Sequence, residues 1–428
     1  MIKNRREFIF NSLQNLTFLL LTNIFLFKRL KSSVKPRIVI IGLGIGGLTC
    51  LKYLNKISSV IDIVVIEKER KYRTGPFSNL VIGGIIEESD ITFKINKNKF
   101  RNIKFIYDEV FLIDSKKKII KIDKQKINYD FLILSPGIGY KDENIEGYQI
   151  SDKKNVPHCW DGESNLLEFK NRLDSLKNNS TIIISSPDYP YRCPPAPYER
   201  ASLIANYFKK KKINVKILIL DSKDSFTKKE NFLDEWKINY KNTIDWIPRS
   251  EGGKVVSFNQ KDKYVRNEDG QIFKGDFIHI IPEQKSAKIF SDSNLLEPDK
   301  DWCQINPVTF EIGDHKDIYA VGDSINAWDM PKSAFSANSQ AKVLAINLIN
   351  KILDKEFINP VFLNTCYSFS NENRAFSISA WYRLNGEQDR IVSLGSSESK
   401  KSSSSEERKE ETRQAFGWYE NMVNDLFL

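Results

Sequence analysis

The 428-residue chain is long enough for two or three domains, and its 41% hydrophobic content is that of an ordinary globular protein. The net charge of +10 is concentrated at one end: residues 1–35 hold seven Lys/Arg and one Glu, a net of +6, leaving +4 for the rest. So small a surplus sets nucleic-acid binding aside, and three histidines set aside a histidine-rich metal centre, so no metal is expected.

The chain opens on Asn4-Arg5-Arg6-Glu7-Phe8-Ile9; residues 8–27 are uncharged with an apolar core from Leu16 to Phe27, and Lys28, Arg29, Lys31 and Lys35 follow. This resembles a twin-arginine-type export signal, the route of proteins that fold around a cofactor before crossing a membrane. It implies a periplasmic location. No A-x-A cleavage site is visible, so an uncleaved anchor is the alternative.

Folded sequence begins near Pro36. Arg37-Ile38-Val39-Ile40-Ile41 reads as a buried parallel strand. Gly42-Leu43-Gly44-Ile45-Gly46-Gly47 follows, then a helix through Leu51 and Leu54, then a strand from Ile61 to Ile66 ending at Glu67. This βαβ unit carries a G-x-G-x-x-G turn. Gly42 allows the tight turn, Gly44 lets the backbone approach a pyrophosphate, and Gly47 permits close packing of helix on strand. The helix N-terminus offers N–H groups and a partial positive charge. Glu67, 20 residues after Gly47, stands where an acid binds ribose hydroxyls. A purely structural glycine turn is the alternative.

Tyr129 to Leu134 is a further buried strand, closed by Ser135-Pro136-Gly137, and Gly137 is assigned to the cofactor. Thr181 to Ile184 opens a second α/β region, and Lys216 to Leu220 is a strand ending in Asp221. Phe277 to Ile281 leads back to the first domain, Ile318 to Val321 stops at Gly322-Asp323, and Ala334 to Leu353 reads as a long helix. The polar run Ser396 to Glu411 reads as a solvated loop.

Gly322-Asp323 resembles the second FAD motif of the disulfide reductase superfamily, an ordinary strand-end turn being the alternative. The resemblance implies that Asp323 accepts hydrogen bonds from the ribityl chain. Ser336-Ala337-Asn338 then starts a helix under the flavin ring, and Lys332 lies near the pyrimidine end, where it stabilises the anionic reduced flavin. An exposed surface lysine is the alternative. Nicotinamide-dependent members place another G-x-G-x-x-G after the next strand. This sequence reads Ser185-Ser186-Pro187-Asp188-Tyr189-Pro190-Tyr191 there, so NADH is not the expected donor. Cys193 precedes Pro194-Pro195 and a helix from about Ala196 to Lys209. The helix N-terminus and the neighbouring Arg192 both favour a thiolate, and Glu199 is placed as a proton acceptor near the sulfur. An inert thiol and an acid answering the helix dipole are the alternatives.

At these residues the resemblance becomes specific. Arg192-Cys193-Pro194-Pro195-Ala196-Pro197-Tyr198-Glu199-Arg200-Ala201-Ser202 resembles the flavoprotein subunit of flavocytochrome c sulfide dehydrogenase. So do Met330-Pro331-Lys332-Ser333, Ser336 to Gln340, Leu363 to Ser368 and Gly417 to Asn421. The likeness runs from about Pro36 to the C-terminus. It implies an α/β fold of two Rossmann-like three-layer dinucleotide-binding domains of the glutathione-reductase type, plus a C-terminal α+β interface domain. The implied divisions are the export signal at 1–35, an FAD-binding domain at 36–145 and 287–356, a second Rossmann-like domain without a nicotinamide loop at 146–286, and a flavin-binding and interface domain at 357–428.

The resemblance further implies that Cys193 and Cys366, 173 residues apart, form a redox disulfide beside the flavin. Hydrosulfide would attack it to give a persulfide and a thiolate, and the electrons would pass through FAD to a haem. This chain has no Cys-x-x-Cys-His, so the haem is expected on a c-type cytochrome subunit. Stable membrane insertion of the mature domain is not expected. Trp418 to Leu428, short and aromatic, suits a protein contact better than access to quinone. Sulfide:quinone oxidoreductase, which shares the fold, and a catalytically silent flavin-fold scaffold are the alternatives. Cys50 reads as core packing, and Cys159 and Cys303 show no reactive context. One departure stands out: the family's FAD-linking cysteine falls in the segment matching Tyr72 to Asn79, and Gly75 takes its place. Noncovalent FAD is therefore expected.

Overall fold

The computed structural model describes residues 35–100, 102–141, 144–152, 155–162 and 166–427. The export-signal reading falls on residues 1–34, outside the described residues. Principal elements are numbered below, and shorter ones are named by their residues.

β1 (Arg37–Ile41) buries every residue after Arg37, so both of its faces need cover. It runs parallel to β2 (Asp62–Glu67), with α1 (Ile45–Leu54) as the crossover. β3 (Lys104–Tyr107) adds outside β2, and β4 (Phe131–Leu134) pairs with the other edge of β1. The second layered unit is formed by β5 (Ser180–Ser186), α2 (Ala196–Lys211), β6 (Val215–Asp221), α3 (Lys229–Asn239), β7 (Ile244–Ile247) and β8 (Phe277–Ile280). Its sheet order is β7-β6-β5-β8, all parallel. An antiparallel ribbon, Ile138–Tyr140 with Gln284–Ser286, ties the outgoing chain to the returning one. β9 (Glu311–Ile312) and β10 (His315–Ala320) then complete the first sheet in the order β9-β10-β4-β1-β2-β3. α4 (Ala334–Ile352) lies on α1, where Asn338 donates to the Thr49 hydroxyl at 2.8 Å. This is the doubly wound arrangement expected from the alternation of apolar runs and helical stretches.

β11 (Val361–Asn371), β12 (Arg374–Leu384) and β13 (Ile391–Glu398) form an antiparallel sheet, followed by α5 (Ser405–Leu426). The loop expected from Ser396 to Glu411 is corrected here. Its start belongs to β13 and its end to α5. The physical reason is a capping box: the Glu407 amide donates to the Ser404 hydroxyl at 3.1 Å, and the Ser404 amide donates to the Glu407 carboxylate at 2.7 Å. Arg408, fully buried, then pairs with the buried Glu235 of α3 at 3.2 Å. The aromatic residues of the C-terminal segment also pack within the chain. Tyr419 stacks on Phe77 at 4.1 Å, and Phe427 stacks on Tyr72 at 5.3 Å and on Phe93 at 5.2 Å. Among the described residues no helix is long and apolar enough to cross a membrane.

Candidate active site

The turn after β1 closes as a dinucleotide loop. Gly42 has φ +87°, and a Cβ there would sit 2.4 Å from the Ser135 carbonyl oxygen, so only glycine fits. A Cβ on Gly47 would lie 1.9 Å from the Gly42 oxygen, so the helix packs directly on its own loop. Gly44 is the N-cap of α1 and supplies no side-chain cap, which leaves the first-turn amides for a ligand. The Tyr72 hydroxyl lies against the Ile45 amide, and burial pushes its pKa up to about 12. Glu67, at the end of β2, accepts from the Leu43 amide at 2.6 Å and from the Glu69 amide at 3.0 Å, so it shapes the loop as well as facing it.

The far side of the cradle comes from β4 and β10. Gly137 and Gly322 have φ +81° and +88°, and the Gly137 carbonyl accepts from the Ser324 hydroxyl. Asp323 receives Arg192 at 2.7 Å on one carboxylate oxygen, while the other, Oδ1, is buried without a partner. Ser336 Oγ, in the first turn of α4, is likewise buried and unpartnered. Uncapped helix amides and an orphaned carboxylate oxygen on opposite walls fit the pyrophosphate and ribityl groups of FAD. Lys332 is buried, which removes the surface-lysine alternative. It donates to the carbonyls of Asp323 at 3.0 Å and Ile325 at 2.6 Å, and its ammonium stands 3.5 Å from the centre of the Trp302 ring. Burial pulls its pKa down to about 7.

Cys193 and Cys366 meet. Cys193 ends the loop before α2, with φ +56°, and its amide donates to the Lys332 carbonyl at 2.8 Å. Cys366 lies in β11 opposite Ile378. Their thiols are hydrogen-bonded to each other and titrate as one pair, the first proton leaving more readily than the second. The expectation that Arg192 favours a thiolate at Cys193 is corrected. Arg192 turns away to Asp323, and its guanidinium also donates to the Trp160 carbonyl at 3.1 Å, so its charge is engaged away from the sulfur. Glu199 reaches back across α2. It accepts from Asn79 of the short helix Ser78–Ile82 at 2.6 Å and from the Phe369 amide at 2.9 Å, and burial raises its pKa. Asn79 is held in turn by Arg200, which is 2% exposed and also bonds His279 at 2.7 Å. Glu199 acts electrostatically on both sulfurs.

The loop before Cys193 is filled by its own side chains. Tyr191 is buried and its hydroxyl donates to the Pro194 carbonyl at 2.7 Å. Asp221, the acid ending β6, is fully buried and taken by Tyr198 at 2.5 Å, Trp246 at 2.8 Å and Lys223 at 2.5 Å. No carboxylate oxygen is left there for a second ribose. Around Gly75 nothing lies within 4 Å of a built Cβ. Cys50 is buried against α4, with its sulfur 3.6 Å from the Ala341 carbonyl oxygen, and burial raises its pKa. Cys159 and Cys303 are buried too, their thiols pushed up to about 12. Sequence reasoning missed Lys228, Asn79 and Tyr72 as parts of the site. Lys228 sits in a run that looks like helix surface, and no sequence signal separates it from its exposed neighbours.

Three family models match the chain: pyridine nucleotide-disulphide oxidoreductase over residues 36–184, the central part of the sulfide dehydrogenase [flavocytochrome c] flavoprotein chain over 166–282, and the flavin-binding part of flavocytochrome c sulphide dehydrogenase over 358–427. A mitochondrial sulfide:quinone oxidoreductase of Dictyostelium discoideum is 25% identical over 76% of this chain and 72% of its own. A coenzyme A disulfide reductase of Staphylococcus aureus is 32% identical over 24% of this chain and 26% of its own. The crystal structure of the sulfide:quinone oxidoreductase of Aquifex aeolicus shares the fold, with a TM-score of 0.70 at 18% identity over 92% of each chain.

Proposed function

We propose, from the premise that this chain is a flavocytochrome c sulfide dehydrogenase flavoprotein-like pyridine nucleotide-disulfide oxidoreductase, that it is an FAD-dependent enzyme oxidising sulfide through Cys193 and Cys366, with a c-type cytochrome as electron acceptor. The observation that carries the proposal is the meeting of two thiols, one from the second layered unit and one from the C-terminal sheet, at a backbone bonded to Lys332. Lys332 in turn bonds the Asp323 carbonyl, so the sulfur pair and the cofactor cradle share one wall.

In the oxidised pair, hydrosulfide attacks the Cys193 sulfur. The bond between the cysteines breaks, a sulfur–sulfur bond forms at Cys193, and Cys366 leaves with the electron pair. That direction follows from the position of Lys228, whose ammonium donates to the Cys366 carbonyl at 3.3 Å: the sulfur on the cation's side is the better leaving group. Glu199 is held by Asn79 and the Phe369 amide and acts electrostatically on both sulfurs, and its raised pKa suits it to take the persulfide proton. The glycine loop, Glu67, Gly137, Gly322, Asp323 and Lys332 would hold FAD, which supplies a two-electron acceptor able to hand electrons on singly. With no Cys-x-x-Cys-His in this chain, the haem belongs to another polypeptide. The twin-arginine pair Arg5-Arg6 supports a periplasmic site of action.

A quinone acceptor is the second reading. It is favoured by the named activity of the two sulfide:quinone oxidoreductases above and by exposed Val361, Leu363 and Trp381 on the C-terminal sheet. The test is anaerobic addition of sulfide to the holoprotein with flavin absorbance followed, then reoxidation by cytochrome c or by a soluble quinone. Bleaching lost in Cys193→Ser and in Cys366→Ser, with FAD retained, is the expected result. Full turnover in either variant, or fast reduction by NADH, would overturn the proposal; quinone as the faster oxidant would replace the acceptor.

A further inference from the structure

Lys228 is held in a way that general stability does not explain. Its backbone has φ +63°, a left-handed conformation at a non-glycine residue, and it caps the start of α3. Its side chain is 1% exposed, although a lysine ordinarily carries its ammonium out to water. The ammonium donates to the Cys366 carbonyl at 3.3 Å and stands 5.6 Å from the centre of the Phe376 ring. Among the described residues no carboxylate oxygen comes within the 4.0 Å of a salt bridge to it. A buried ammonium without a paired anion is costly unless an anion arrives. The titratable groups it acts on are Cys193, Cys366 and Glu199, and it pulls all three towards their charged forms.

We propose that Lys228 is the cation of a sulfur-anion subsite beside Cys366, holding the incoming hydrosulfide anion and the thiolate left when it reacts. The inference rests on the sulfide-oxidation reading, since it names how that substrate is bound. Charge explains the choice of residue: hydrosulfide and thiolate are monoanions with weak hydrogen-bonding capacity, so a desolvated point charge holds them better than neutral donors do. Glu199 alone would repel them, and the lysine offsets that repulsion.

The test uses the FAD-loaded full chain with its thiols reduced. Lys228→Met removes the charge at similar volume, Lys228→Gln removes it while keeping a donor for the Cys366 carbonyl, and Lys228→Arg keeps the charge. Thiolate absorbance is titrated without sulfide, and sulfide-driven flavin bleaching is measured against sulfide concentration. In the two neutral variants the first thiolate titration of the Cys193–Cys366 pair should move up by about one pH unit, roughly a tenfold loss of the thiolate-to-thiol ratio. Half-saturation by sulfide should rise by a similar factor, and the arginine variant should restore both. A purely structural role predicts loss of flavin or of folding without rescue by arginine. Neutral variants that titrate and saturate like the parent would overturn the proposal. Should the parent itself not react with sulfide, the functional reading fails, while the titration still judges the influence of Lys228 on Cys366.

Discussion

Glu235 carries a prediction whose size follows from the geometry. It is fully buried on α3 and receives two arginines from the C-terminal sheet and helix. Arg374 is bidentate, at 2.7 and 2.8 Å, and Arg408 adds a bond at 3.2 Å. Glu235→Gln keeps the shape and removes the charge, leaving two guanidinium groups that are 11% and 0% exposed. Breaking a buried pair from one side costs about 3–5 kcal/mol. The lower end applies here, because Arg408 keeps Glu411 at 3.1 Å and Asn231 at 2.8 Å. A loss of about 3 kcal/mol is therefore expected, read as a shift of the urea unfolding midpoint at unchanged slope. Asp62→Asn is the control. Its partner Arg37 also sits at 2.7 Å, but the two side chains are 44% and 39% exposed, so the loss should stay within about 1 kcal/mol. Equal losses in the two variants, or a loss under about 1 kcal/mol for Glu235→Gln, would refute the claim that burial of this cluster locks the sheet carrying Cys366 onto the unit carrying Cys193.

Gly42→Ala should purify without flavin, since its Cβ would fall 2.4 Å from the Ser135 backbone oxygen and displace the loop; absorbance in the visible range checks it. Lys332 gives a pH dependence. Its folded pKa lies near 7, below the ordinary 10.5, so between those values the unfolded chain binds the extra proton and stability rises with pH. Lys332→Met should remove up to about 1.4 kcal/mol per pH unit of that slope, and urea midpoints that run parallel for parent and variant from pH 7 to 10 would show the lysine to be charged in the fold. Acid precipitation should release the flavin into the supernatant, because Gly75 has no side chain with which to bond it; yellow colour on the washed pellet would show a covalent link.

Local patterns in the sequence sufficed for the sheets and the cofactor cradle. β1, β2, β4, β5 and β6 are runs of branched apolar residues whose burial on both faces dictates a parallel sheet. Gly47 is legible because the atom its Cβ would strike, the Gly42 oxygen, lies in the same short loop, and Gly42 because the turn itself sets its φ of +87°, although the oxygen its Cβ would strike belongs to the distant Ser135. α5 was legible as well, since Ser404 and Glu407 have capping-box spacing, but the polar composition masked it.

The sulfur chemistry was decided only by tertiary contact. Arg192 adjoins Cys193 in sequence yet serves Asp323, while the group that shares a hydrogen bond with the Cys193 thiol is Cys366, 173 residues away. Glu199 is oriented by Asn79 from one direction and Phe369 from the other. Lys228 looks like any surface lysine until α3 packs it under the strand bearing Cys366. The physical reason is range: sterics and hydrogen bonds within a turn act between near neighbours in sequence, whereas desolvation and charge act through space, and which side chains share a buried volume is determined by the packing of all three units together.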